Sequence, residues 1–349
     1  IILLIISTER IIYIYMHQKG KGSNKMETMT KRERIRNVLE GKPVDRTPVG
    51  FWLHFPEEMH HGEKAIEAHL DFMKATDTDI LKIMNENILY DGNTKIERLG
   101  DISKFRGFSR KDAIFQDQME IIKRIADKAK GEYPIMSTIH GLIASAFHET
   151  GFAGNYTSMG YQLTLFCRER PAEMKKVFRT VAETLMEFSD CSLEAGAEGI
   201  FYAALGGERN FFTDEEFEEF VAPYEKMVYD HIKKTTDFNV LHICKSNIDF
   251  NRYKDLHPAI VNWGIYGNDF SLTKGAGLFS DSIILGGFPD RHGVLVTGTE
   301  EEIFKHTSEV LEEMKGRPFI VGSDCTLPTE IAYDRIRCVV DSVEKLEQR

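Results

Sequence analysis

His242-Ile243-Cys244, at the end of one apolar run, and Cys325, at the end of another, are the residues of this chain whose types and spacing could do chemistry. Imidazole nitrogen and thiolate sulfur are zinc ligands. A zinc held by four protein ligands serves structure, whereas one held by three keeps a position for water or a substrate thiol. A strand repeats every two residues, so His242 and Cys244 point to the same side of theirs. The pattern alone leaves a second reading open. The chain has 12 His and 5 Cys, so one His-x-Cys pair is unsurprising, and a free Cys is often a small buried hydrophobe. What decides is whether the fold brings Cys325 to the other two.

The elements that would position these residues are regular from Thr30 onward. Thr30-Lys31-Arg32-Glu33 reads as a capping box, in which hydroxyl and carboxylate satisfy free amides at a helix start. That helix runs to Gly41, a residue suited to the stop. Eight short apolar runs, 47–54, 80–85, 134–140, 199–205, 239–244, 260–266, 282–288 and 319–324, predict strands. Charged segments with helical spacing lie between most of them, at 63–75, 112–130, 172–195, 214–234, 300–315 and 330–346. Two of these open on further Thr-x-x-Glu boxes, Thr213/Glu216 and Thr299/Glu302. Eight strands alternating with helices predict an α/β fold, a (β/α)8 TIM barrel built as a single domain. A doubly wound open sheet is the competitor, but no G-x-G-x-x-G follows the first strand. Gly206-Gly207 and Gly286-Gly287 read as loop punctuation.

Catalytic residues of such a barrel sit at the C-terminal ends of its strands. His54, Asn85, His140, Tyr202, His242, Cys244, Tyr266 and Cys325 are the unusual polar residues there. His148-Glu149 follows the third strand, and Glu149 offers a carboxylate as a labile fourth ligand. Cys191 and Cys338 fall inside predicted helices and read as packing, Cys167 as incidental, and His60-His61 as a solvated loop pair. No G-x-S-x-G, Walker loop or H-E-x-x-H is present, which leaves serine hydrolase, P-loop kinase and zincin chemistry without support.

A formal charge of −11 argues against nucleic acid as a partner, since that needs a basic stripe to replace phosphate counterions. An odd, scattered set of five cysteines is no disulfide framework and points to a reducing cytoplasm. The apolar start, Ile1 to Ile6 and Ile11 to Tyr15, is interrupted by Glu9-Arg10, so it falls short of the ~20 apolar residues of a membrane span. It also lacks the charge order and cleavage site of a signal peptide. Residues 1–28 are therefore expected to be a disordered leader or a gene-calling artefact, with Met26 or Met29 as the start and the barrel over 29–349.

Lys42-Pro43-Val44-Asp45-Arg46-Thr47-Pro48-Val49 resembles the opening of the uroporphyrinogen decarboxylases and their relatives, and Phe217-Glu218-Glu219-Phe220-Val221-Ala222-Pro223-Tyr224 extends the likeness. The resemblance implies the same (β/α)8 barrel but does not fix the chemistry. The decarboxylase branch carries an Arg-Gln-Ala-Gly-Arg-like stretch after the first strand, where this chain has His54-Phe55-Pro56-Glu57-Glu58-Met59. The aspartate that branch places after its second strand has no match either, Asn85 lying near that point. His242, Cys244 and Cys325, with the turn Gly322-Ser323-Asp324-Cys325-Thr326-Leu327-Pro328, instead match the corrinoid-dependent methyltransferase branch, similar to methylcobalamin:coenzyme M methyltransferase.

That likeness implies a zinc on His242, Cys244 and Cys325, with an acceptor thiol as fourth ligand, such as coenzyme M or homocysteine. It implies a methylcorrinoid as co-substrate. The corrinoid would arrive on a separate carrier protein, because no Asp-x-His-x-x-Gly cobalamin motif is found here. A free thiol, with its pKa of ~8.5, is a poor nucleophile at neutral pH, and zinc would remove its proton. His140, Tyr202 and Tyr266 are expected as rim contacts to the corrinoid. Two alternatives stand beside this one: a decarboxylase acting on a tetrapyrrole, and a non-catalytic corrinoid-binding barrel.

Overall fold

The computed structural model describes residues 28–87, 89, 95–151 and 155–347; the leader expected over 1–28 lies, but for its last residue, outside them. Eight parallel strands form one sheet: β1 (Val49–Gly50), β2 (Leu81–Ile83), β3 (Ile135–His140), β4 (Gly199–Ala204), β5 (Asn239–Ile243), β6 (Ile260–Trp263), β7 (Ile283–Phe288) and β8 (Phe319–Ser323). Their order is β1-β8-β7-β6-β5-β4-β3-β2, the order of a TIM barrel opened at the β1–β2 seam. The expected single-domain (β/α)8 barrel is the fold observed. Every strand falls inside its predicted run; β3 and β7 reach the end of theirs, and the other six stop short because the residues beyond turn away into the loops at the barrel mouth.

Asp79 bridges the seam where the two strands begin. The Asp79 amide donates to the Val49 carbonyl at 2.7 Å, and the Asp79 carboxylate accepts from the Val49 amide at 2.7 Å. Arg34 and Arg46 also donate to that carboxylate, at 2.6 and 2.7 Å. Asp79 is fully buried. Arg34 comes from the helix Lys31–Leu39, whose Thr30/Glu33 capping box forms as read. The other two Thr-x-x-Glu boxes also form, at Asp214–Phe220 and Glu300–Glu313.

Strand register sorts inward from outward side chains. Thr138 pairs with Phe201, and His140 with Ala203; Ala203 pairs with His242, and His242 with Asn262. Because side chains alternate across a strand, Lys82, Thr138, His140, Phe201, Ala203 and His242 face one interior. Tyr202, with Leu241 beside it, faces the helices. Two further helices, Leu142–Thr150 and Tyr156–Glu169, follow β3, and the segment predicted as one helix over 214–234 is two, Asp214–Phe220 and Ala222–Thr235. Pro223 causes that break: it sits in the first turn of the second helix, where its missing N–H costs nothing. No helix among the described residues is long and apolar enough to cross a membrane.

Candidate functional site

Three ligand atoms meet where β5 and β8 end. One ligand atom each from His242, Cys244 and Cys325 lies within 4.8 Å of the other two. This is the only group of three or more such side chains among the described residues. The β5 register delivers His242 and Cys244 on one side, and the turn after β8 delivers Cys325. That turn is pinned at both ends. The Asp324 amide donates to Phe288 O at 2.8 Å, the Leu327 amide to Trp52 O at 2.9 Å, and the Ser323 hydroxyl to Cys325 O at 2.5 Å. Beyond Cys244, Lys245 adopts a left-handed backbone with φ 80°, and its carbonyl accepts from Asn268 Nδ2 at 2.9 Å.

Asn262 settles which imidazole nitrogen is free. Its Nδ2 donates to Leu285 O at 2.9 Å and Ser323 O at 3.0 Å, so its Oδ1 must face His242, whose Nδ1 lies 2.6 Å away. Nδ1 therefore carries the proton and Nε2 the lone pair. Nε2 is buried and has no hydrogen-bond partner, a cost that a metal bond would remove. The thiols are asymmetric. A hydrogen bond from Cys244, with the nearby His242, pulls the Cys325 thiol well below its ordinary range, while the same bond and burial hold Cys244 well above. Two soft sulfurs and an imidazole held in place by the Asn262 amide are a donor set that could hold a metal ion such as zinc. Asn262→Ala should loosen that imidazole and lower zinc affinity by about 10- to 100-fold, measured by competition with a chromogenic chelator.

The three residues, of which His242 is buried, share a cavity of about 180 Å³. Its other walls carry Trp52 and His54 after β1, Lys82 on β2, His140 on β3 and His148 on the helix that follows. The His140 and His148 rings pack edge to face at 5.3 Å. Burial pushes both down, to about 3 and about 4, with His148, Lys82 and His54 adding to the effect on His140, so both are neutral at physiological pH. His54 Nδ1 lies 2.9 Å from Glu86. Burial raises the Glu86 carboxyl, but that hydrogen bond, together with the electrostatic pull of His54, His60 and Lys82, keeps it below its usual range. Burial pushes the Lys82 ammonium down to about 7.

The structure brings together some of the expected residues and not others. His140 faces the cavity as expected. Tyr202 does not: it is fully buried on the helix side of β4, where its hydroxyl accepts from the Leu142 amide at 2.9 Å. Tyr266 is half exposed on the short helix Ile265–Asn268, its amide bound to Asp324 Oδ2 at 3.0 Å, and is not among the residues lining the cavity. Glu149 is buried in the helix Leu142–Thr150 with both oxygens unpartnered. Burial raises its carboxyl well above the usual range, and it lies outside the three-ligand cluster. Lys82 and Asn262 were missed. Each breaks an apolar strand run, Ile-Leu-Lys-Ile-Met and Ile-Val-Asn-Trp, and that interruption is the signal that could have found them.

Comparison with known proteins places the chain in a family. The uroporphyrinogen decarboxylase (URO-D) family model matches residues 92–346. The methylcobamide:CoM methyltransferase MtbA of Methanosarcina acetivorans is 23% identical over 320 residues, which cover 82% of this chain and 90% of that protein. The Methanosarcina mazei protein of the same name is 24% identical over the same shares. Among solved structures, a methyltransferase from Methanosarcina mazei superposes with a TM-score of 0.73 at 16% identity, covering 91% of this chain and 99% of that one. A B12-independent methionine synthase from Shewanella sp. W3-18-1 superposes with a TM-score of 0.57 at 13% identity, covering 86% and 98%; at these identities the superpositions speak for the barrel alone. The chain belongs to the uroporphyrinogen decarboxylase family, and it resembles the methyltransferase members of that family.

Proposed function

We propose that the protein is a zinc-dependent methyltransferase that moves a methyl group from a methylcorrinoid, carried by a partner protein, to a small thiol such as coenzyme M or homocysteine. The observation that carries this is the convergence of His242, Cys244 and Cys325, with an unpartnered Nε2, on one cavity. His242, Cys244 and Cys325 would hold the metal, leaving its fourth position for the acceptor sulfur. Zinc, when bound, takes up a thiol as thiolate, and two protein thiolates keep that sulfur electron-rich. In the transfer the sulfur forms a bond to the methyl carbon, and the carbon–cobalt bond breaks with its electron pair left on cobalt. The protein's part is to fix the acceptor: Asn262 orients His242, the pinned turn orients Cys325, and the aromatic walls exclude water.

Size also favours this over decarboxylation of a tetrapyrrole. A cavity of about 180 Å³ lies below the ~300–1,000 Å³ that holds a drug-sized ligand. It suits a small acceptor, with the corrinoid presented from outside the mouth on its carrier. A wider groove of about 930 Å³ runs along the opposite, N-terminal ends of the strands, past Pro134, Asn239, Ile283 and Pro318, and none of the candidate residues reaches it.

The test is zinc content of the full chain purified without chelator, followed by loss of the methylcobalamin absorbance against a panel of thiols. Stoichiometric zinc and thiol-dependent demethylation are expected. Stoichiometric zinc with no demethylation by any thiol would reduce the protein to an accessory barrel, and porphyrinogen turnover without zinc would make it a decarboxylase.

A further inference from the structure

Lys82 carries an amine in a place that gives it almost nothing to bind. It sits on β2 pointing into the barrel and is 6% exposed. An ammonium has three N–H donors, and the hydrogen bond found for this one goes to the thioether of Met84, at 2.9 Å, a weak acceptor. Its remaining surroundings are aromatic faces, Phe201 at 4.3 Å and Trp52 at 5.3 Å from the ring centres. Among the described residues no carboxylate forms an ion pair with it, whereas Arg34 and Arg46, the other cations there buried to this degree, share Asp79. Cation–π contact offsets part of the desolvation, but two donors still need acceptors. The cavity that Lys82 lines holds the three metal ligands. The polar groups around it are His54, His140, His148 and Lys245, with Glu86 held by His54. The negative groups that act on Lys82 are the Cys325 thiol across the cavity and Glu86, which His54 already holds, and neither is hydrogen-bonded to it.

We propose that Lys82 is the residue that binds the anionic end of the acceptor thiol, which the metal would grip at sulfur and Lys82 at its carboxylate or sulfonate. This rests on the methyltransferase reading for the sulfur end, while the anion subsite stands on the buried ammonium itself. A charge-assisted hydrogen bond in a desolvated site favours the anionic acceptor by about 10- to 100-fold over a neutral one of the same size. Arginine retains the charge at this position and methionine removes it at similar volume.

The experiment is calorimetric titration of the zinc-loaded full chain, at a pH below the Lys82 value of about 7. The probes are mercaptoethanesulfonate, mercaptopropionate, mercaptoethanol and thiol-free ethanesulfonate. Wild type should prefer the two anionic thiols to mercaptoethanol by about 10-fold or more and should bind ethanesulfonate weakly. Lys82→Met should collapse that preference to within about 2-fold and abolish ethanesulfonate binding, and Lys82→Arg should keep part of both. Zinc content and thermal melting of each variant show whether it has folded. The proposal is overturned if Lys82→Met weakens charged and neutral thiols equally, the mark of a counter-charge to the metal thiolates, or if it leaves the preference intact. Binding of ethanesulfonate without binding of any thiol would keep the anion site and remove the methyltransferase reading. Binding of thiols with no preference for the anionic ones would do the reverse.

Discussion

Cys325→Ser should purify with less than about a tenth of the zinc of wild type and should lose thiol-dependent demethylation of methylcobalamin, because removing even an outer partner of a metal ligand costs about 10- to 100-fold in affinity and removing the ligand costs more. A serine hydroxyl does not ionise near neutral pH, so it cannot replace the thiolate whose low protonation Cys244 and His242 support. The barrel should survive. The turn that carries Cys325 is held by backbone bonds from Asp324 to Phe288 and from Leu327 to Trp52, and Cys325 itself is only partly buried. Zinc content measured on the monodisperse, normally melting variant is the check, and full zinc retention would remove Cys325 from the site. Because the ligands must be deprotonated to bind, wild-type zinc affinity should also fall as pH falls, a slope the variant should show with one proton fewer.

Which parts of this site could be read in the sequence follows from what each part depends on. The His242/Cys244 pair depends only on the two-residue period of a strand, and β5 lies within its predicted run. Cys325 depended on counting strands, which succeeds when charged helices separate apolar runs. Tyr202 was misplaced because β4 is buried on both faces, as central parallel strands are. Its apolar neighbours Phe201 and Ala203 therefore gave no alternation to show which way it points. The helix Leu142–Thr150 went unseen for the same reason: eight of its nine residues are buried, so no polar stripe marks its period. Lys82 and Asn262 were hidden differently. Their partners, an aromatic pair from β4 and the loop after β1, and carbonyls on β7 and β8, are tertiary neighbours that no local pattern records.

Asp79→Ala should destabilise the protein by about 3–5 kcal/mol, the cost of leaving buried charges without their partner and a large share of the ~5–15 kcal/mol that separates folded from unfolded domains. Asp79 is 0% exposed and accepts hydrogen bonds from Arg34, Arg46 and the Val49 amide. Arg34 would keep Asp45, at 2.7 Å. Arg46 would keep only Glu344, at 3.4 Å, and the carbonyl of Thr47. Asp79→Asn retains an acceptor but not the charge, so it should fall between alanine and wild type. The triple replacement of Asp79, Arg34 and Arg46 by apolar residues should recover much of the loss, since a packed apolar cluster can match a buried ion network. Urea unfolding midpoints, at unchanged slope, measure all three. Asp79 bridges the seam between β1 and β2, the strands that bring Trp52, His54 and Lys82 to the cavity, whereas the proposed metal ligands hang on β5 and the turn after β8, tied together through Asn262. The asparagine variant should therefore keep its zinc while its preference for anionic thiols weakens. Loss of zinc along with stability would mean instead that the seam supports the metal ligands as well.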